Sequence, residues 1–296
     1  MFRMIALDMD GTLLDHQQQI SKENIRAIER AKEKGVKVVL STGRTLSGID
    51  DYLDQLGLRR EEEHSVTCSG AYVVNNINTK TVEENYLQYN EFQRILEIFD
   101  PYQIQYNFYT KDRIYTQSTN FTTHIDAMAN KLPMEIINFG ELSKDIKIIK
   151  MTLINEDICV KDEITSIYPD LPIEDEKVFT RINHRFDRKL FHDITKFSKE
   201  LLEKYTVLKT TPYHIEILNK ESHKGNGVKR LAELYDIKKE EIICVGDSGN
   251  DRQMIEYAGL GVAMGNATEE IKQIADYVTN SNQEHGVAHV IEKFIL

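Results

Sequence analysis

Met4-Ile5-Ala6-Leu7-Asp8-Met9-Asp10-Gly11-Thr12 is a short apolar run that ends abruptly in two acids and a turn. A strand that is apolar at every position is buried on both faces, as in a parallel sheet. In extended backbone, residues i and i+2 share a face, so Asp8 and Asp10 are expected to point into one small volume. Asp-Gly is also an ordinary turn pair, and this stretch alone leaves both readings open. It is not an EF-hand loop, which needs glycine at position six where Gly11 stands at position four.

Outward from this strand the same alternation recurs. Ser21 reads as a helix N-cap, with Ile20 and Ile25 spaced as a hydrophobic staple. Ile25, Ile28 and Ala31 give a helical stripe, and Gly35 suits the position just past its end. Residues 36–40 and 65–68 read as the second and third strands. Val228, Leu231 and Leu234 mark a helix, residues 242–245 a strand, and Met254, Ile255 and Ala258 a helix. A strand at 260–264, a helix at 269–275 and a last helix through Val287, Val290, Ile291 and Phe294 close the chain. Strands alternating with helices predict an α/β fold, a doubly wound, Rossmann-like parallel sheet. Ligands then belong beyond the carboxyl ends of its strands.

Composition shifts between Glu83 and Asn219. That span holds all five prolines and only one of the fifteen glycines, Gly140, with most of the Tyr and Phe residues. The shift predicts an inserted α+β domain at 83–218, set into a core formed by 1–82 and 219–296. Within it, residues 106–115 and 214–218 read as strands, and 92–99 and 194–205 as helices.

The chain has 296 residues and a formal charge of −11, from 37 basic and 48 acidic side chains. A binder of nucleic-acid phosphates shows the opposite balance, so no nucleic-acid partner is expected. No apolar run reaches the roughly 18 residues of a membrane span, and no signal peptide is legible, so no membrane partner is expected. Cys68, Cys159 and Cys244 are far apart with no CxxC, which predicts neither disulfides nor zinc and suits a reduced, cytoplasmic setting. Gly259-x-Gly261-x-x-x-Gly265 departs from the dinucleotide-binding GxGxxG, and no GxxxxGK[ST] occurs. Asn120-Phe-Thr and Asn266-Ala-Thr spell glycosylation sequons, read as chance in that setting.

Three further signals fall at strand ends or beside them. Ser41-Thr42-Gly43-Arg44 offers a hydroxyl, a backbone N–H and a guanidinium, a set that can hold a phosphate oxygen. Lys224, in Ser222-His223-Lys224-Gly225, opens a predicted helix; a lone lysine is ordinarily a solvated surface group. Gly246-Asp247-Ser248-Gly249-Asn250-Asp251 follows the strand at 242–245 directly. An acidic, Gly-containing turn there caps the next helix or holds a metal, and the buried strand feeding it favours the metal.

Together and in this order, these segments resemble the haloacid dehalogenase superfamily, in particular its Cof-type phosphatases with a C2B cap. That branch carries DxDGT, a small residue followed by Thr-Gly-Arg, a cap, Lys-Gly and then GDxxND. Val262-Ala263-Met264-Gly265-Asn266-Ala267 and His285-Gly286-Val287-Ala288 resemble its closing segments. The resemblance covers the outer domain by motif and the insertion by position and size. One departure is visible: Ser69-Gly70 stands where the family usually has Asn-Gly.

The resemblance implies a phosphoric monoester hydrolase that works through an aspartyl-phosphate. Asp8 is the expected nucleophile, and Asp10 the acid–base that protonates the leaving alkoxide and then activates water. The first of those tasks asks for a raised pKa at Asp10. Mg²⁺ is the expected cofactor, on the side chains of Asp8 and Asp247 and the backbone carbonyl of Asp10, with Asp251 behind them. Thr42, Gly43, Lys224 and Asn250 are expected on the phosphate oxygens, and Arg44 on the loop or the cap. The implied substrate is a small phosphorylated metabolite of the sugar phosphate, pyridoxal phosphate or flavin mononucleotide type. The insertion is expected to act as a lid, with Tyr109, Lys150, Asn183, His184, Arg185 and His214 as candidate specificity residues. Phosphoryl transfer to a sugar, as in a mutase, and a non-catalytic phosphometabolite-binding module are the alternatives.

Overall fold

The computed structural model describes residues 1–100, 104–118, 121–154, 193–211 and 214–296. It divides into two compact units, residues 1–84 with 222–296, and residues 85–221.

The first unit begins with β1 (Met4–Leu7), α1 (Lys22–Glu33), β2 (Lys37–Leu40), α2 (Asp50–Gln55), β3 (His64–Thr67), β4 (Tyr72–Asn75) and β5 (Thr81–Glu84). The second unit holds α3 (Tyr89–Phe99), β6 (Gln105–Tyr109), β7 (Ile114–Thr116), α4 (Phe121–Asn130), β8 (Met134–Ile136) and β9 (Lys150–Ile154). It continues with α5 (Lys199–Lys204), β10 (Tyr205–Thr211) and β11 (His214–Asn219). The chain returns to the first unit through α6 (Lys224–Leu234), β12 (Ile242–Gly246), α7 (Arg252–Tyr257) and β13 (Leu260–Ala263). It ends with α8 (Glu269–Ile274), β14 (Tyr277–Val278) and α9 (Gly286–Phe294).

The five strands β14-β13-β12-β1-β2 form one sheet in that order, and every pairing in it is parallel. This is the doubly wound α/β sheet expected from the sequence. Successive residues of its central strands feed two different cores. Ile5, Leu7, Val38, Leu40, Ile243 and Val245 pack with Ile28 of α1 and Val287 and Ile291 of α9. Met4, Ala6, Val39, Ile242 and Cys244 pack with Val228 and Leu231 of α6 and Met254 of α7. Covering on both faces is why these strands are apolar throughout. Ser21 caps α1 through a hydrogen bond from the Asn24 N–H, as its sequence predicts.

Several expectations need correction. The strand read at 65–68 joins β2 only through a Ser41–Val66 bridge; its main partner is β4, in an antiparallel β3-β4-β5 sheet. The strand read at 106–115 is a hairpin, β6 and β7, because the chain reverses where the Thr110 N–H meets the Arg113 carbonyl. The helix read at 194–205 is two shorter pieces, a 3-10 turn at Ile194–Lys196 and α5, where Ser198 accepts from the Leu201 N–H, and Tyr205 already opens β10. The helix marked by Val228, Leu231 and Leu234 is α6, but Leu234, its last residue, is exposed and packs in no core.

In the second unit the sheet order is β10-β11-β9-β6-β7-β8. One face is apolar: Phe108, Met151, Leu153, Ile215 and Ile217 pack with Phe92, Ile95 and Phe99 of α3 and Leu201 of α5. By the two-residue period of a strand, Asn107, Tyr109, Lys150, Thr152, His214 and Glu216 share the other face. Among the described residues no helix is long and apolar enough to cross a membrane.

Candidate active site

Parallel register brings three strand ends level. Leu7 at the end of β1 pairs with Leu40 of β2 on one side and Val245 of β12 on the other. The next residues, Asp8, Ser41 and Gly246, therefore emerge side by side at the carboxyl edge. The Asp8 N–H still bonds the Val245 carbonyl at 3.0 Å, and the chain then turns, with Leu14 N–H to Met9 O at 2.9 Å.

The start of α6 delivers Lys224 to this edge. His223 caps the helix, its Nδ1 accepting from the Asn226 N–H at 3.2 Å. The helix start lies against the β3–β4 turn so closely that a Cβ on Gly70 would stand 2.2 Å from the His223 carbonyl oxygen. Gly70 also has φ +92°, a conformation that side chains rarely take.

Lys224 is fully buried, and its Nζ donates to Asp8 Oδ1 at 2.5 Å and Asp251 Oδ1 at 2.6 Å. The other Asp251 oxygen accepts from the N–H groups of Asp247 and Ser248, both at 3.0 Å. Thr12 Oγ1 donates to Asp247 Oδ1 at 2.8 Å. Carboxylate oxygens of Asp8, Asp247 and Asp251 lie within 4.8 Å of one another. Burial, then the neighbouring Asp251 charge, pushes Asp247 up to about 7. Burial first, and the charges of Asp251 and Asp247 after it, raise Asp8 against the pull of Lys224. Burial works against the Lys224 ammonium, but Asp251 and Asp8 outweigh it and raise its pKa.

Three carboxylates thus surround one ammonium. A divalent cation would supply the missing positive charge, and an all-oxygen donor set of this kind suits a hard ion. The donor set fits the metal that the sequence led us to expect.

Asp10 has different surroundings from Asp8, although the two-residue spacing suggested a shared volume. The chain leaves the sheet after Asp8, so strand periodicity no longer applies. The Asp10 side chain is 49% exposed and is gripped by Arg44, Nε to Oδ2 at 2.9 Å and Nη2 to Oδ1 at 2.5 Å. Arg44 also donates to Gln18 Oε1, and its guanidinium lies 5.6 Å from the Tyr52 ring centre. Burial works to raise the Asp10 pKa, but the charge and hydrogen bonds of Arg44 prevail and hold it below the usual carboxylate range. This is opposite in direction to the raised value expected of an acid, and the cause is the Arg44 fork.

Thr42 is buried, its N–H bonded to Val66 O at 2.9 Å and its Oγ1 accepting from the Arg44 N–H at 3.1 Å. Gly43 lies beside the Ser69 hydroxyl, 3.3 Å from where a Cβ would stand. Asn250 is buried and accepts from Ser248 Oγ at 2.7 Å.

The chain as a whole is similar to known proteins. The haloacid dehalogenase-like hydrolase family matches residues 5–291. The chain belongs to that family. YxeH of Bacillus subtilis, provisionally named a phosphatase, is 34% identical over 100% of this chain and 99% of its own. Phosphatase YwpJ of the same organism is 30% identical over 99% of this chain and 100% of its own. A solved haloacid dehalogenase-like hydrolase from B. subtilis superposes with a TM-score of 0.76 at 27% identity, covering 100% of both chains.

In this haloacid dehalogenase-like hydrolase the structure gathers Asp8, Lys224, Asp247 and Asp251 into one buried group, with Asp251 bonded directly to the lysine. Sequence reasoning missed Gln18, which shares Arg44 with Asp10, because nothing marks a lone glutamine in a turn. It also gave no role to Asn266, whose Nδ2 donates to the Gly11 carbonyl at 2.8 Å. In the hydrolase's second unit, Tyr109, Lys150 and His214 share the polar sheet face. Tyr109 donates to Asp126 Oδ2 at 2.6 Å, Lys150 pairs with Glu216, and Lys150 Nζ lies 4.6 Å from the Tyr109 ring centre. Burial holds the His214 pKa below its ordinary value. Asn183, His184 and Arg185 lie outside the described residues.

Proposed function

We propose that this hydrolase is a Mg²⁺-dependent phosphatase of small phosphate monoesters that works through an aspartyl-phosphate on Asp8. The observation that carries the reading is the fully buried Lys224, bonded at 2.5 Å to Asp8 inside a group of three carboxylates. A binding module has little use for a carboxylate so placed; a nucleophile that must meet a dianion needs this neutralisation.

Asp8 and Asp247, with the Asp10 carbonyl, would hold Mg²⁺, whose charge when bound keeps both side chains ionised and offsets that of the phosphate. An Asp8 oxygen attacks phosphorus, and the ester P–O bond breaks as Asp10 gives a proton to the departing oxygen. Asp10 then takes a proton from water, which attacks the phosphorus of the aspartyl-phosphate and frees Asp8 and inorganic phosphate. Thr42, the Gly43 N–H, Lys224 and Asn250 hold the equatorial oxygens, where charge spreads in the transition state. Asp251 positions Lys224. Arg44 keeps the resting Asp10 ionised; an arriving phosphate that competes for that guanidinium would raise the Asp10 pKa, so that Asp10 takes up a proton from solvent before the ester bond breaks.

The substrate reading is a phosphorylated metabolite of sugar-phosphate size, with residues 83–218 as the cap that discriminates among such esters. It is supported by a 29% identical relative, YwtE of B. subtilis, named a 5-amino-6-(5-phospho-D-ribitylamino)uracil phosphatase.

The test is phosphate release from p-nitrophenyl phosphate by wild type and Asp8→Asn, each with Mg²⁺ and with EDTA. Turnover is expected only in wild type with Mg²⁺. Equal turnover in EDTA, or undiminished turnover by Asp8→Asn, would overturn the reading.

A further inference from the structure

We propose that Asn266 is a positioning residue of this site, holding the Gly11–Thr12 peptide and the Asp247 carboxylate in a fixed relation; the inference rests on the functional reading above. Asn266 lies in the turn after β13. Its Nδ2 donates to the Gly11 carbonyl at 2.8 Å, while its Oδ1 accepts from the Asn282 N–H at 2.9 Å. The second bond fixes which way the amide faces, so the donor is aimed at Gly11. Asn282 reaches the same turn from its other end, Nδ2 donating to the Leu14 carbonyl at 2.8 Å.

Gly11 is not a passive end of this bond. It has φ +82°, and a Cβ there would stand 2.6 Å from Asp247 Oδ2, so its Cα packs directly against that carboxylate. Thr12 Oγ1 holds the other Asp247 oxygen at 2.8 Å. The Asp247 backbone carbonyl in turn accepts from the Thr268 N–H at 3.0 Å, two residues beyond Asn266. The circuit is closed: Asn266 to Gly11, Gly11 and Thr12 to Asp247, Asp247 to Thr268, and two residues of chain back to Asn266. Asn266 itself is exposed, so its contribution is directional and not a matter of core packing.

Groups that orient metal-ligating side chains commonly change affinity or activity about 10- to 100-fold when removed. Asn266→Ala is therefore expected to lower kcat for p-nitrophenyl phosphate about tenfold with KM changed less than about twofold. It should also weaken binding of Mn²⁺, counted as free ion by electron paramagnetic resonance without substrate, with the melting temperature close to wild type. Asn266→Asp keeps the acceptor for Asn282 and removes the donor to Gly11, so its kcat should fall as far as that of the alanine variant. Unchanged kcat and Mn²⁺ affinity in Asn266→Ala, a lowered melting temperature alone, or wild-type kcat in Asn266→Asp would each overturn the proposal. If wild type hydrolyses no phosphate ester, the phosphatase reading fails, and Mn²⁺ affinity still decides the role of Asn266.

Discussion

Lys224 is bonded to both Asp8 and Asp251, and its removal leaves the two buried carboxylates without that charge. Breaking a buried pair in this way costs about 3–5 kcal/mol. Lys224→Met should lose about that much in urea denaturation, together with all activity; a loss under about 1 kcal/mol would contradict the charge balance drawn above. Asp247 carries a pH consequence. Its folded-state pKa, about 7, lies above the ordinary value for Asp. A raised carboxylate binds its proton more tightly folded than unfolded, so its contribution is full below the ordinary value and is lost as pH rises towards 7. Above that, a divalent cation has the most repulsion to relieve. Millimolar Mg²⁺ should therefore raise the melting temperature more at about pH 8 than at about pH 5, and an equal rise at both would count against Asp247 as a ligand.

At the scale of the element, the central strands were legible because burial on both faces writes an unbroken apolar run. The edges were not. β5 reads Thr-Val-Glu-Glu and is mostly half-buried, and β14 has two residues, so neither carries a run or an alternation long enough to read. The acids at strand ends stood out for the opposite reason, since charge directly after a buried strand needs a local explanation. Gln18 and Asn266 stayed silent because their bonds join residues 26 and 255 positions apart, and such pairings leave no periodicity. Gly70 shows how an element and the site are tied. Alanine there meets both the strained φ and the His223 carbonyl, so α6 must move and Lys224 with it. Gly35→Ala is the control: its φ is +80° but nothing stands within 4 Å. Both should be destabilised in urea, by about 1–3 kcal/mol for strain, while kcat should fall only for Gly70→Ala. Equal kcat in the two would break that link.

For the whole molecule, the two units differ in how they use the chain. Residues 85–221 form the second unit from one continuous stretch, whereas the first is assembled from both ends. β1 sits between β2 and β12, and its register with β12 joins Met4 to Ile242. Protein synthesis is vectorial, and at about 5–20 residues per second this leaves β1 for on the order of ten seconds or more with one edge bare. The inserted unit can complete its sheet in that interval. Ribosome-bound chains halted after β11 should therefore show protease protection within 85–221 and none at β1, and early protection of β1 would show that it finds another partner meanwhile. Placing the strand that carries Asp8 at the centre of the sheet makes its completion a late event of biosynthesis: Asp8 gains Asp247 and Asp251 as neighbours only once the chain through Asp251 has left the ribosome.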